Sequence, residues 1–121
     1  MVRLLFLFLF FVSFSSTAQV LTLREQSKVI DELLADRFNN LLPVLMERND
    51  IDMWVIVSRE YNEDPVLKTM LPSTWLSARR RTILVFYNNA EKKTIEKLAI
   101  ARYNVGENIK AAWDLTKFPN Q

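Results

Sequence analysis

Two apolar runs decide the fold of this chain, MWVIV at residues 53–57 and TILVFY at residues 82–87. Each run places apolar side chains at both odd and even positions, and therefore on both faces of a β-strand. Strands of this kind are typical of a sheet that helices cover on both sides. We therefore predict an α/β fold in which residues 53–57 form a central strand.

The two runs enclose a polar connection, SREYNEDP at residues 58–65, continued by KTMLP at 68–72 and TWLSARRR at 74–81. A helical turn is predicted within it, over residues 65–71. Taken with IDMW at 51–54 and ILVF at 83–86, this block resembles the amino-terminal domain of secreted bacterial M24 metallopeptidases. That family includes Xaa-Pro aminopeptidases and creatinase-like proteins, and the resemblance covers residues 23–113 without a gap.

The resemblance implies a partial three-layer α/β domain of the creatinase and prolidase type, with a mixed sheet. In that family the chemistry belongs to a carboxy-terminal pita-bread domain, which these 121 residues do not contain. The two divalent metal ions implied by the family, Mn, Co or Zn, would lie in that domain and not in this chain. The implied substrates are short proline-containing peptides, and the implied assembly is a homo-oligomer.

Composition limits the chemistry independently of the resemblance. The chain has no histidine and no cysteine, which excludes imidazole and thiolate metal sites, Ser/His triads and cysteine nucleophiles. Sixteen Lys and Arg against fourteen Asp and Glu leave a formal charge of +2, too small to indicate a nucleic-acid partner. We expect neither a catalytic centre nor a metal site in these residues.

Residues 1–18 have the three parts of a secretory leader: a basic start at Arg3, an apolar run over 4–12, and small residues before a cleavage point after Ala18. The apolar run is shorter than the roughly 20 residues that a membrane span needs. We expect export to the periplasm or the extracellular space, which leaves residues 19–121 as one N-terminal α/β domain. A leader retained as an anchor is the alternative.

Thr22 and Glu25 form a capping-box pattern, which predicts the start of a helix. Apolar residues then recur at steps of three and four and predict one helix face packed on the sheet. These residues are Ile30, Leu33, Leu34, Phe38, Leu41 and Leu45.

Pro43 would break a helix interior but is tolerated in a first turn. We therefore predict a second, short helix that is capped by Asn39 or Asn40 and ends near Arg48.

Residues 94–103 fit either a helix or a strand by periodicity, and intrinsic propensity favours the helix. The resemblance favours a strand that returns beside residues 82–87. Gly106 then marks a turn. Three strands with one good amphipathic helix leave one apolar sheet face without cover, so we expect the domain to be incomplete or to depend on a partner.

Arg79 and Arg81 are the candidates for an anion site, since guanidinium groups bind carboxylate or phosphate through paired hydrogen bonds. Side chains alternate in a strand, so these two converge and the arginine between them does not. The alternative is a surface role for these arginines, either ion pairing with Glu60, Glu63 and Asp64 or simple solvation. Those carboxylates lack the glycine-punctuated spacing of a Ca²⁺ loop.

Trp113, within KAAWD at residues 110–114, is the candidate for a substrate entrance. In the aminopeptidases that this chain resembles, a tryptophan after the third strand reaches a neighbouring subunit's active site and limits substrate length there. Ordinary packing is the alternative for Trp113. Trp54 and Trp75 are predicted to anchor the core and the loop.

The leading hypothesis is a non-catalytic domain of an exported Xaa-Pro aminopeptidase-like metallopeptidase, which contributes to subunit assembly and restricts substrate entry. Two alternatives stay open. One is a stand-alone exported α/β module that binds a small acidic ligand or a partner through the loop carrying Arg79 and Arg81. The other is a truncated relic without activity.

Overall fold

The structure, a computed structural model, describes residues 20–89, 91–92, 94–114 and 116–119. The predicted leader, residues 1–18, lies outside them. Within the described residues the chain is a mixed α/β fold, in which helices pack on one face of a four-stranded sheet. No helix in this part of the chain is long and apolar enough to span a membrane.

The helical layer comes first along the chain. Helix α1 spans Leu23–Asp36, a π-helical turn follows at Arg37–Leu41, and α2 spans Leu42–Arg48. The remaining elements are β1 (Met53–Arg59), α3 (Pro65–Thr69), β2 (Arg81–Asn89), β3 (Thr94–Ala99) and β4 (Lys110–Ala111).

The sheet has the order β1-β2-β3-β4. The β1–β2 and β2–β3 pairs are antiparallel, whereas β3 and β4 are parallel, which confirms the predicted mixed sheet. Residues 94–99 form a strand and not a helix, as the resemblance implied. The sequence analysis missed β4, because two residues are too short to show a periodic pattern.

The prediction that β1 is central was wrong, because β1 lies at the edge of the sheet and pairs with β2 alone in the described chain. Apolar side chains on both faces of a strand indicate that other elements can pack above and below it. They do not report how many backbone edges are paired. Only one face of β1 is covered, since Ile56 and Ser58 are buried while Val55 and Val57 are exposed.

The buried stripe of the helical layer recurs at every fourth residue. It consists of Leu34, Phe38, Leu42 and Met46. The predicted stripe was therefore wrong for Ile30, Leu33 and Leu41, which are exposed, and Leu45 is only half-buried.

The π-helical turn explains this stripe. An α-helix turns by about 100° per residue, so residues four apart drift by about 40° and leave the sheet within a few steps. The turn at Arg37–Leu41 contains one extra residue, which rotates the residues after it back by about 100° around the helix axis. Leu42 and Met46 therefore return to the face of Leu34.

The predicted asparagine cap before Pro43 was also wrong. Pro43 does lie in the first turn of α2, but the capping position is Leu41, in helical conformation and without a side-chain hydrogen bond. Asn40 instead donates from Nδ2 to Asp36 Oδ1 at 2.6 Å. The helical backbone is therefore continuous from α1 into α2.

The segment from the end of α3 to β2 is tied to the helical layer by polar contacts. Ser73 donates from its amide and its hydroxyl to the carboxylate of Asp31, at 2.8 and 2.7 Å, and Arg37 donates to the carbonyl of Thr69. Gly106 lies against the same loop with a φ of 64°, where a Cβ atom would come within 3.0 Å of Pro72. Only glycine fits this turn without strain.

The predicted capping box at the start of α1 is confirmed. The amide and hydroxyl of Thr22 donate to Glu25 Oε2 at 2.9 and 2.8 Å, and the amide of Glu25 donates back to the hydroxyl at 3.4 Å. The hydrogen bonds from the Thr22 backbone and then its side chain hold the pKa of Glu25 below its ordinary value.

Replacing Glu25 with glutamine should therefore remove a stabilising contribution that depends on pH. That contribution is fully present above the ordinary glutamate pKa of about 4.3. It is lost as the pH falls through the lower pKa that Glu25 has in the folded chain. The free energies of unfolding of Glu25→Gln and the parent, measured by urea denaturation, should converge at acidic pH. In a Thr22→Ala background, the pH-dependent difference in unfolding free energy between Glu25→Gln and its parent should be smaller, because the Thr22 hydroxyl no longer donates to Glu25. A difference of the same size would contradict the capping role.

Candidate functional site

The face of the sheet opposite the helices carries apolar side chains that are exposed on β1 and half-buried or exposed on β2 and β3, and we call it the open face. Alternate residues of three strands contribute to it. They are Met53, Val55 and Val57 of β1, Ile83, Val85 and Tyr87 of β2, and Leu98 of β3. The β1 residues are the most accessible, with exposed fractions of 54%, 47% and 62%. Contiguous apolar surface of this kind marks interaction sites on soluble proteins.

The helices of the described chain cannot cover this face, because they contribute to one core on the other side. That core joins Leu34 and Phe38 of the helical layer and Leu67 of α3 to Leu84 and Phe86 of β2. The sequence predicted too few helices to cover both apolar faces of the sheet. In the described residues, the sheet indeed has one covered face and one open face.

Arginines lie at one end of the open face. Arg59 and Arg81 are direct cross-strand partners, both exposed, and they follow the alternation of Val57 and Ile83 onto the open side. Like charges directly opposite each other are destabilising. Guanidinium groups bind carboxylate and phosphate through paired hydrogen bonds, so an anion between the two side chains would offset this cost.

The sequence analysis proposed Arg81 but missed Arg59. Its only signal is alternation: Arg59 lies two residues beyond Val57, just as Arg81 lies two residues before Ile83. The register that places the two arginines opposite each other depends on strand pairing across a long loop, which a single sequence does not report.

Arg79 belongs to a second cluster, beside the first. Its guanidinium carbon lies 5.2 Å from the centroid of the Trp75 ring, a cation–π contact, and Trp75 in turn packs on Tyr103 with ring centroids 6.1 Å apart. Arg80 has a φ of 46°, in the left-handed region. The structure places Arg79 and Arg81 on the lining of one depression.

This depression is small. It holds about 30 Å³, whereas sites for small organic ligands are typically about 300–1,000 Å³. The geometry therefore favours contact with the surface of a larger partner over enclosure of a small acidic ligand.

The carboxylates near the arginines have other partners. Glu63 pairs with Lys68 at 4.0 Å, and Asp64 caps α3 by accepting from the amide of Val66 at 2.7 Å. Among the described residues, none of the ion pairs joins a carboxylate to Arg59, Arg79 or Arg81. The structure thus does not form the ion pairs that were one alternative for the arginine run, whereas the exposure of these arginines agrees with the other alternative, solvation.

Trp113, the candidate for a substrate entrance, packs on its own chain. It is half-buried, its ring centroid lies 6.0 Å from that of Phe118, and its indole donates to the Phe118 carbonyl at 2.8 Å. Trp54 packs on Phe86 with centroids 5.9 Å apart, in the core as predicted.

No group of three acidic side chains in the described part of the chain lies close enough to hold a metal ion. The fold and the exposed residues define an α/β domain with an exposed apolar sheet face. Comparison with protein-family models, with curated proteins and with solved structures found no match. That class therefore rests on the geometry alone.

Neighbouring residues of β1 should respond very differently to truncation. Ile56→Ala should lower the free energy of unfolding by about 2–5 kcal/mol, because a buried side chain leaves a cavity. Val57→Ala, on the open face, should change it by only about 0.5 kcal/mol. Urea denaturation of the purified chain measures both. Similar losses for the two variants would show that the open face is covered in solution.

Proposed function

We propose that this chain is the non-catalytic amino-terminal domain of an exported metallopeptidase similar to Xaa-Pro aminopeptidase. In this role it packs on the catalytic domain and on neighbouring subunits, and it narrows the route by which short proline-containing peptides reach the metal centre.

The open face carries this proposal. A three-layer α/β domain has helices on both faces of its sheet and so buries both, whereas this domain leaves one apolar face exposed. Exposure of Met53, Val55 and Val57 is costly for a separate protein but is useful for a component of an assembly, where the same residues become an interface.

The strands formed by the residues that carry the resemblance also support the proposal. Residues 53–59 and 81–89 form the antiparallel pair at the edge of the sheet, and the connection between them carries α3. Residues 94–99 pair with β2, which agrees with the strand that the resemblance favoured over the helix that propensity favoured.

The two divalent ions that the family implies do not fit the residues of this chain. The sequence has no histidine, and the described carboxylates form no group that could bind a metal. The proposal therefore assigns the ions and the hydrolytic chemistry to the catalytic domain. It gives this chain a structural role, with Trp113 as its candidate at the substrate entrance.

Reading the gene past codon 121 tests the proposal. We expect an open frame that encodes a catalytic domain with an Asp, Asp, His, Glu, Glu ligand series. The joined protein should hydrolyse an Xaa-Pro peptide with Mn²⁺, while the 121-residue chain alone shows no turnover. A stop codon directly after Gln121, or hydrolysis by this chain alone, would overturn the proposal.

A further inference from the structure

We propose that the open face binds an amphipathic α-helix whose apolar stripe lies along β1 and β2 and whose carboxylate lies between Arg59 and Arg81. This inference goes beyond the proposed function, because it derives the chemistry of the partner from the open face alone. It would stand even if the chain belonged to no peptidase.

The dimensions of the open face suit a short helix. From Ile83 to Tyr87 the apolar side chains of β2 extend over four residue steps, or about 13 Å at a strand rise of about 3.4 Å. A helix covers that length with about nine residues, since each adds about 1.5 Å. Apolar residues at steps of three and four over two to three turns would therefore match the face.

The covered face shows that this sheet accepts a helix. There the stripe containing Leu34, Phe38 and Leu42 packs on Leu84 and Phe86 of β2, and the open face presents side chains of similar size from the same strands.

The charge of the open face indicates which charge its partner should carry. Arg59, Arg81 and Lys110 lie on the open side of their strands and are exposed. The carboxylate on this side, Glu96, already pairs with Lys92 at 2.8 Å, and that hydrogen bond holds the pKa of Glu96 below its ordinary value. The open face is therefore net positive, and an acidic partner complements it.

A second copy of the chain does not supply the carboxylate that would lie between Arg59 and Arg81. A face-to-face dimer with its twofold axis along the strands would bring Arg59 and Arg81 against the same pair. With the axis across the strands, the arginines would meet Met53 and Tyr87. Glu96 lies beside Tyr87 on β3, but Lys92 already neutralises it. Residues 1–19 are apolar enough to cover a sheet, but they carry Arg3 and no carboxylate.

The test is selection from a displayed library of 14-residue helices with a fixed leucine stripe and one randomised position near each end. Against the purified chain, we expect enrichment of Asp or Glu at one end of the helix and not at the other. A selected acidic peptide should bind the Arg59→Gln/Arg81→Gln variant about tenfold more weakly, as expected for the loss of a charge-assisted pair. It should lose saturable binding to Val57→Lys, which places a charge in the apolar stripe.

An Arg24→Gln/Arg48→Gln variant is the matched control, since it removes the same charge from the exposed side of the helical layer and should bind the peptide like the parent. Circular dichroism establishes that each variant is folded. The inference is overturned if no helix is enriched, if the enriched helices show no acidic preference, or if the arginine variant binds equally well. Dimerisation of the chain through Val57, or Val57-dependent binding to anionic lipid vesicles without helix binding, would also overturn it.

Discussion

The contact between Phe38 and Phe86 determines which side of the sheet is covered. The two rings pack with centroids 5.6 Å apart, and both side chains are almost completely buried. Because side chains alternate along a strand, placing Phe86 against the helices forces Val85 and Tyr87 to the other side. A slip of one residue in register would exchange the two faces. The open face is thus a direct consequence of the packing that forms the core.

The helical layer has no second buried apolar stripe that could cover the open face. The π-helical turn at Arg37–Leu41 aligns Leu34, Leu42 and Met46 on one side of a continuous helical segment, so the buried apolar surface is directed at a single sheet face. Strand β1 is then the least enclosed part of the sheet, since one of its faces and one of its backbone edges lack a protein partner in the described chain. Edge strands with apolar side chains are sites of association unless something covers them.

The sequence predicted the features that depend on local chemistry or on alternation. The capping box at Thr22, the strands over residues 53–57 and 82–87 and the shortage of helices for two apolar faces follow from residue type and spacing. The strand at residues 94–99 was favoured by the resemblance alone, against intrinsic propensity. What it missed depends on tertiary pairing. The edge position of β1 and the opposition of Arg59 to Arg81 are set by backbone pairing between distant segments, and the π-helical turn is set by the need to keep Leu42 and Met46 on the core.

The composition of the open face argues against a surface that merely faces water. A strand with one solvated face normally alternates apolar and polar residues, whereas β1 places Met53, Val55 and Val57 on its exposed side. The same side brings two arginines into direct opposition, an arrangement that costs stability unless an anion separates them. An acidic helix with an apolar face, placed on the sheet, would make both the apolar stripe and the arginine pair favourable. This shared condition is what supports the proposed partner.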